Sequence, residues 1–289
     1  MTDRKDDFLK RESCARPVFL ISPTPRSGTN YISNLVVRSG VCERPKNYLI
    51  SAEDWIIASS RGLFEFRDNI ANYWSMLKLI DENECLSEAN KLLKRIGETL
   101  INEIVYGTDE GFVITKTPSS DCISNIDYIF PNSKIIFLVR DGRDTCYSAI
   151  KSGFASSVRG AFRLWAYRVD QMIEYAGIPE YDKVGGNYMW IRYEFAFQNA
   201  IEQLQRVETY LGVSATEEQR SKVRQLDIVG SCEFSNSKDR KFKYTIVPFR
   251  ADFNPIGRWK EWSTELRQEF KENAGSQLIK LGYEKDDNW

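Results

Sequence analysis

Residues 23–30 read Pro-Thr-Pro-Arg-Ser-Gly-Thr-Asn and sit between a short apolar run, PVFLIS at 17–22, and a helical pattern at 29–40. A strand–loop–helix junction of this kind can cradle a phosphate-like anion. Successive backbone N–H groups and the positive end of the helix dipole point into one small volume. Gly28 permits close backbone approach, Ser27, Thr29 and Asn30 add donors, and Arg26 adds a fixed positive charge. The Walker A pattern is not met, because no first glycine and no lysine after Gly28 are present. An ordinary ATP or GTP hydrolase is therefore disfavoured. The competing reading is a plain Gly/Ser turn between strand and helix.

A second cluster follows the apolar run KIIFLV at 134–139. There Arg140 ends a strand, and Ser148 lies eight positions on, in the next helix. Such a pair can close on one anion from two sides, the arginine with charge-assisted bonds and the serine with a directional hydroxyl. Asp141 and Asp144 read as helix N-caps.

Composition removes other chemistries. The 289-residue chain has 40 Lys plus Arg, 41 Asp plus Glu, and a net charge of −1. No basic excess argues for nucleic acid as a partner. Histidine is absent, so histidine-based triads, metal sites and general bases are excluded. The six cysteines form no CxxC pair and no phosphatase-type Cys-x5-Arg loop, and read as reduced thiols. No metal site is expected. The apolar runs are strand-sized, so no membrane span is expected. The charged start MTDRKDDFLKRES lacks a signal peptide's apolar stretch. The expected location is cytoplasmic. Oligomeric state is left open, a homo-oligomer included.

The elements that must position these residues follow from periodicity. Runs at 17–22, 112–115, 134–139 and 188–193 read as strands. Helical patterns occupy 29–40, 69–106, about 141–151, 159–177, 196–211, 215–229 and 263–282. A short helix is expected over 53–60, opened by Ser51, with Glu53 and Asp54 in its first turn. Strands alternating with helices imply one α/β domain, its parallel sheet covered by helices on both faces. Residues 41–110 and 230–258 are excursions around its active edge. The face carrying Phe162, Trp165 and Met172 reads as core. The aromatics Trp55, Phe64, Phe66, Tyr73 and Trp74 read as packing or as an acceptor wall. The run Lys238 to Lys243 reads as a solvated basic loop.

Taken together, PTPRSGTN and KIIFLVRDGRDTCYS resemble the two nucleotide-binding motifs of the sulfotransferase superfamily, whose donor is 3′-phosphoadenosine 5′-phosphosulfate (PAPS). Phe112-Val113-Ile114-Thr115-Lys116-Thr117-Pro118 resembles the strand that carries a catalytic lysine. Ile191-Arg192-Tyr193-Glu194 is similar to a strand end that supplies an aromatic near the adenine. Gly257-Arg258-Trp259-Lys260 resembles a C-terminal element that closes over the nucleotide. The resemblance spans roughly residues 17–283 and implies a P-loop-type α/β fold, with 1–16 as an N-terminal extension and 17–289 as the sulfotransferase domain.

The resemblance further implies which residues act. Ser27 to Asn30 and Arg26 would hold the 5′-phosphosulfate, Arg140 and Ser148 the 3′-phosphate, and Tyr193 the adenine. Arg258 or Lys260 would add a contact to the 3′-phosphate, although the family's Arg-Lys-Gly run is not intact here and only Phe249-Arg250 is similar. Lys116 would reach the sulfuryl group. Arg26 stands where many members have lysine; it is permanently charged, so its role is electrostatic. PAP is the implied product, and no metal is implied.

The lysine strand reads Lys116-Thr117-Pro118, without the histidine base of the small-molecule branch. A carboxylate is the remaining common base. Glycan- and tyrosine-directed branches use glutamate, and Glu53 occupies a comparable place, 27 positions beyond Arg26. Asp54 is second choice, and the alternative for both is simple complementing of a helix start. The expected acceptor is a carbohydrate, lipid-linked or peptidyl hydroxyl ahead of a small phenol. A noncatalytic nucleotide-binding module and a P-loop kinase are the rival functions.

Overall fold

The apolar runs form strands, as their length and branching suggest. β1 is Arg16–Ile21, β2 Phe112–Thr117, β3 Lys134–Val139 and β4 Tyr188–Arg192. In the computed structural model, which describes residues 14–224, 226, 228–229, 246–247 and 254–289, these four strands are parallel and lie in the order β2-β1-β3-β4. The helices are α1 Thr29–Arg38, α2 Tyr48–Ala52, α3 Arg61–Met76, α4 Glu82–Val105, α5 Ile126–Ile129 and α6 Gly142–Lys151. They continue as α7 Val158–Ala176, α8 Tyr193–Gln198, α9 Ala200–Leu211, α10 Glu217–Ser221 and α11 Thr264–Lys280.

Alternate residues of each strand face opposite sides, and each side has its own core. Phe19 and Ile21 of β1, with Phe137 and Val139 of β3, pack with Phe162, Trp165 and Val169 of α7 and Phe270 of α11. Val18 and Leu20, with Ile136 and Leu138, pack with Ile32, Leu35 and Val36 of α1 and Leu204 and Val207 of α9. Helices therefore cover both faces of a parallel sheet, as the continuous apolar strands require. The α7 face is core, as its periodicity suggested. Of the excursion aromatics, Phe64 packs against the core, whereas Phe66 and Tyr73 are exposed.

The topology dictates where a ligand can bind. The chain leaves β1 for β2 on one side and leaves β3 for β4 on the other. A crevice opens between β1 and β3 at their carboxyl ends, the usual binding place in open α/β sheets. The register aligns those ends: Ile21 pairs with Thr117 and with Phe137, and Val139 with Arg192.

Two local expectations are corrected. No helix spans 53–60. The helix there is α2, opened by Asn47, whose side chain accepts from the N–H groups of Leu49 and Ile50. Glu53 is extended, with φ −161° and ψ 125°, because the next residue bonds to the edge of β2: Asp54 N–H donates to the Lys116 carbonyl at 3.2 Å. Residues 215–229 are not one helix either. A capping box of Thr216 and Gln219 starts α10, which ends at Ser221. The β-branched pair Ile228–Val229 forms a short strand, β5, antiparallel to β6 at Ile246–Val247. The Lys238–Lys243 run, Phe249-Arg250 and Cys232 lie outside the described residues. The other cysteines are free. No helix among the described residues is long and apolar enough to cross a membrane.

Candidate active site

The loop between β1 and α1 is wound tightly. Arg26 and Gly28 both take positive φ, 77° and 98°. The buried Ser27 hydroxyl donates to the Thr24 carbonyl at 2.8 Å, so it fastens the loop internally. Gly28 is the N-cap of α1 and provides no side chain to the first-turn N–H groups; the Tyr31 N–H turns back to the Gly28 carbonyl at 3.0 Å, and those of Thr29 and Asn30 can serve an anion. Thr29 is buried and Asn30 half-buried at the start of α1. A Cβ on Gly28 would lie 2.2 Å from Cδ2 of Tyr193. Glycine is thus required both by the backbone angle and by the ring pressed against it.

The second cluster meets this loop directly. Arg26 Nε donates to Ser148 Oγ at 3.1 Å. Arg140 Nη1 donates to the Arg26 carbonyl at 2.8 Å. Arg140 is buried, spends Nη2 on the Pro255 carbonyl at 2.5 Å, and lies over the Tyr193 ring, 4.9 Å from its centroid. Its Nε is buried without a hydrogen-bond partner, as is Thr24 Oγ1 in the loop. Buried polar atoms left in this state are uncommon, and both suit an oxygen-rich ligand. Phe154, 46% exposed, stands 5.6 Å from the Arg26 guanidinium.

Lys116 is the penultimate residue of β2, paired with Leu20 of β1, and is buried. Burial holds its ammonium below the ordinary lysine range, an effect opposed by the charges of Glu53 and Asp54. Its Nζ donates to the Ala52 carbonyl. Asp54 Oδ1 accepts from Thr117 Oγ1 at 2.6 Å and from the Ile56 N–H at 3.0 Å. Burial pushes the Asp54 carboxyl up against those bonds and the nearby Lys116 charge. Asp54 is therefore a fastening of residues 52–56 onto β2. Glu53 is half-buried and accepts from Trp55 Nε1 at 3.0 Å through Oε2.

Tyr193 opens α8 and is buried between Gly28, Arg140 and the rings of Tyr31 and Phe197. Burial raises its phenol well above the usual range. Arg258 lies 4.8 Å from the ring centroid of Tyr147, the neighbour of Ser148, while Lys260 is exposed. Arg26, Ser27, Gly28, Arg140, Ser148 and Tyr193 thus form one contiguous cluster, and Glu53, just after α2, lies near Lys116 of β2.

Beyond the expected N-cap, several contributors were not visible in the motifs. Asp141 does cap α6, accepting from the Arg143 N–H at 2.9 Å. Asp144 instead accepts from the N–H groups of Gly257 and Trp259, at 2.7 and 3.1 Å, and ties the C-terminal element to α6. Glu194 accepts from the Asp141 N–H at 2.9 Å and from the Tyr283 hydroxyl at 2.8 Å, bracing the turn after Arg140. Arg168 reaches the Pro23 carbonyl at 3.3 Å from α7.

This architecture, with its loop and crevice, agrees with comparison to known proteins. The sequence model of the sulfotransferase family matches residues 17–218. The chain belongs to the sulfotransferase family. Among solved structures, it is similar to the sulfotransferase domain of the Synechococcus PCC 7002 olefin synthase, with 16% identity, 92% of this chain and 96% of that one covered, and a TM-score of 0.53. It is also similar to the sulfotransferase domain of the curacin biosynthetic pathway, with 17% identity, 92% and 98% coverage, and a TM-score of 0.52. At these identities the likeness is one of fold. No curated protein matches the sequence.

Proposed function

We propose that this protein transfers the sulfuryl group of PAPS to a hydroxyl acceptor, releasing PAP. The observation that carries the reading is the joining of the two anion motifs across the β1–β3 crevice: Arg26 Nε to Ser148 Oγ at 3.1 Å, and Arg140 to the Arg26 carbonyl at 2.8 Å. A ligand phosphorylated at both ends of one adenosine suits such a pair. The orphaned Arg140 Nε and Thr24 Oγ1 support the same fit.

PAPS supplies an activated sulfuryl group and a stable leaving nucleotide. The uncapped start of α1, with Ser27 to Asn30, holds the 5′ end; Arg140 and Ser148 hold the 3′-phosphate, with Arg258 or Lys260 beside them; Tyr193 borders the base. Glu53 takes the acceptor's proton as the acceptor oxygen bonds to sulfur and the sulfur–phosphate oxygen bond breaks. Arg26 and Lys116 stabilise the charge that develops on the bridging and sulfuryl oxygens, a role that pre-placed cations fill without reorganisation. We assign the base role to Glu53 rather than Asp54, whose Oδ1 is engaged twice and whose Oδ2 is buried.

Retention of Arg26 and Lys116 favours catalysis over a noncatalytic binding module, and the missing Walker lysine disfavours a kinase. A carbohydrate, lipid-linked or peptidyl hydroxyl remains the favoured acceptor, and the cytoplasm the favoured location. The test is a screen of hydroxyl acceptors with ³⁵S-labelled PAPS. Label transfer to an acceptor supports the reading, and transfer of phosphate from ATP in its place refutes it.

A further inference from the structure

We infer that Trp55 is a positioning residue that holds the Glu53 carboxylate in the orientation a general base needs. The inference rests on the reading of Glu53 as the base. The backbone around Glu53 is fastened on both sides. Ala52 accepts from Lys116 Nζ, the Asp54 N–H donates to the Lys116 carbonyl, and the Asp54 side chain accepts from Thr117. These bonds fix where the Glu53 side chain begins, not where its carboxylate ends. Among the described residues the carboxylate has one hydrogen bond, from Trp55 Nε1 to Oε2 at 3.0 Å. Oε1 is left to receive a proton.

Two observations separate this role from ordinary packing. Trp55 is 38% exposed, whereas the next two residues, Ile56 and Ile57, turn to the core. The indole is therefore partly open to solvent rather than enclosed in the core. Trp55 also has φ 49°, a left-handed conformation that bulky residues adopt at a cost. The chain accepts that conformation where it brings an N–H donor to its own i−2 carboxylate. A glutamate has three side-chain torsions to order before it can act, and a fixed donor removes most of that freedom.

The test uses the full chain and release of ³⁵S-sulfate from PAPS to water, a probe that needs no identified acceptor. Trp55→Phe keeps a ring and loses the donor. Its release rate should fall about tenfold, a part of the roughly 10²–10⁴-fold that a general base contributes, with PAP affinity unchanged. Glu53→Gln, measured alongside, should lose about 100-fold. In ¹⁵N-tryptophan spectra, the Trp55 indole signal should shift upfield in Glu53→Ala. A wild-type rate in Trp55→Phe, with Glu53→Gln impaired, overturns the role of Trp55 alone. So does a loss of PAP affinity in Trp55→Phe, which marks a structural role. A wild-type rate in Glu53→Gln, or no enzyme-dependent release by the wild type, overturns the underlying reading of the base.

Discussion

Replacing Gly28 by alanine probes the contact on which the phosphate loop is built. Two independent costs follow from the geometry. At φ 98° an L side chain is in left-handed territory, which costs about 1–2 kcal/mol. The added Cβ would lie 2.2 and 2.4 Å from two ring carbons of Tyr193, and overpacking of this kind costs about 1–3 kcal/mol. The ring has little room to retreat, because Phe197 stacks on one side and the Arg140 guanidinium lies over it. The sum, about 2–5 kcal/mol, is a large share of a typical domain's stability of about 5–15 kcal/mol. Urea unfolding and calorimetric PAP titration should show lower stability, weaker binding, or both. A double-mutant cycle with Tyr193→Ala separates the terms. The second substitution should recover the steric part, about 1–3 kcal/mol, and leave the backbone part. Full stability and full PAP affinity in Gly28→Ala, without Tyr193→Ala, would refute the claim that loop and ring are locked together.

Arg140→Ala should weaken PAP binding by about 1.5–3 kcal/mol, the range for a hydrogen bond to a charged group; unchanged affinity in calorimetry would show that the 3′-phosphate is held elsewhere. Asp54→Asn should flatten the pH dependence of stability. The Asp54 carboxyl is raised above its ordinary 3.8 by burial, so between 3.8 and the raised value the folded protein binds more protons than the unfolded one, and stability falls as pH rises through that window. Asparagine keeps the Oδ1 acceptor and removes this titration. Chemical denaturation from pH 4 upward should show a shallower decline, and an unchanged slope would mean that Asp54 does not carry it.

What could be read from the sequence was local. The strand–helix junctions at 23–30 and at Arg140 to Ser148 were legible because each depends on neighbouring backbone alone. The sheet and its two covered faces were legible because buried parallel strands are continuously apolar. Asp144 was not, since the N–H groups that donate to it lie 113 and 115 positions away, at Gly257 and Trp259, and no local signal distinguishes such a carboxylate from an N-cap. The start of α2 was misplaced because Ser51 and the acidic pair imitate a helix start, while hydrogen bonds to β2 draw Glu53 and Asp54 into extended structure. Tyr193 was read as an adenine contact from motif position. Its packing on Gly28 depends on β4 ending beside β1's loop, which only the assembled sheet provides.

The central claim is that one ligand carries phosphate at both ends of an adenosine and is gripped at both. Calorimetric titration with PAP and with ADP tests it most directly, because ADP lacks the 3′-phosphate. PAP should bind with a dissociation constant on the order of micromolar or tighter, and ADP at least tenfold more weakly, the loss of one charge-assisted contact. Equal affinities would contradict the account.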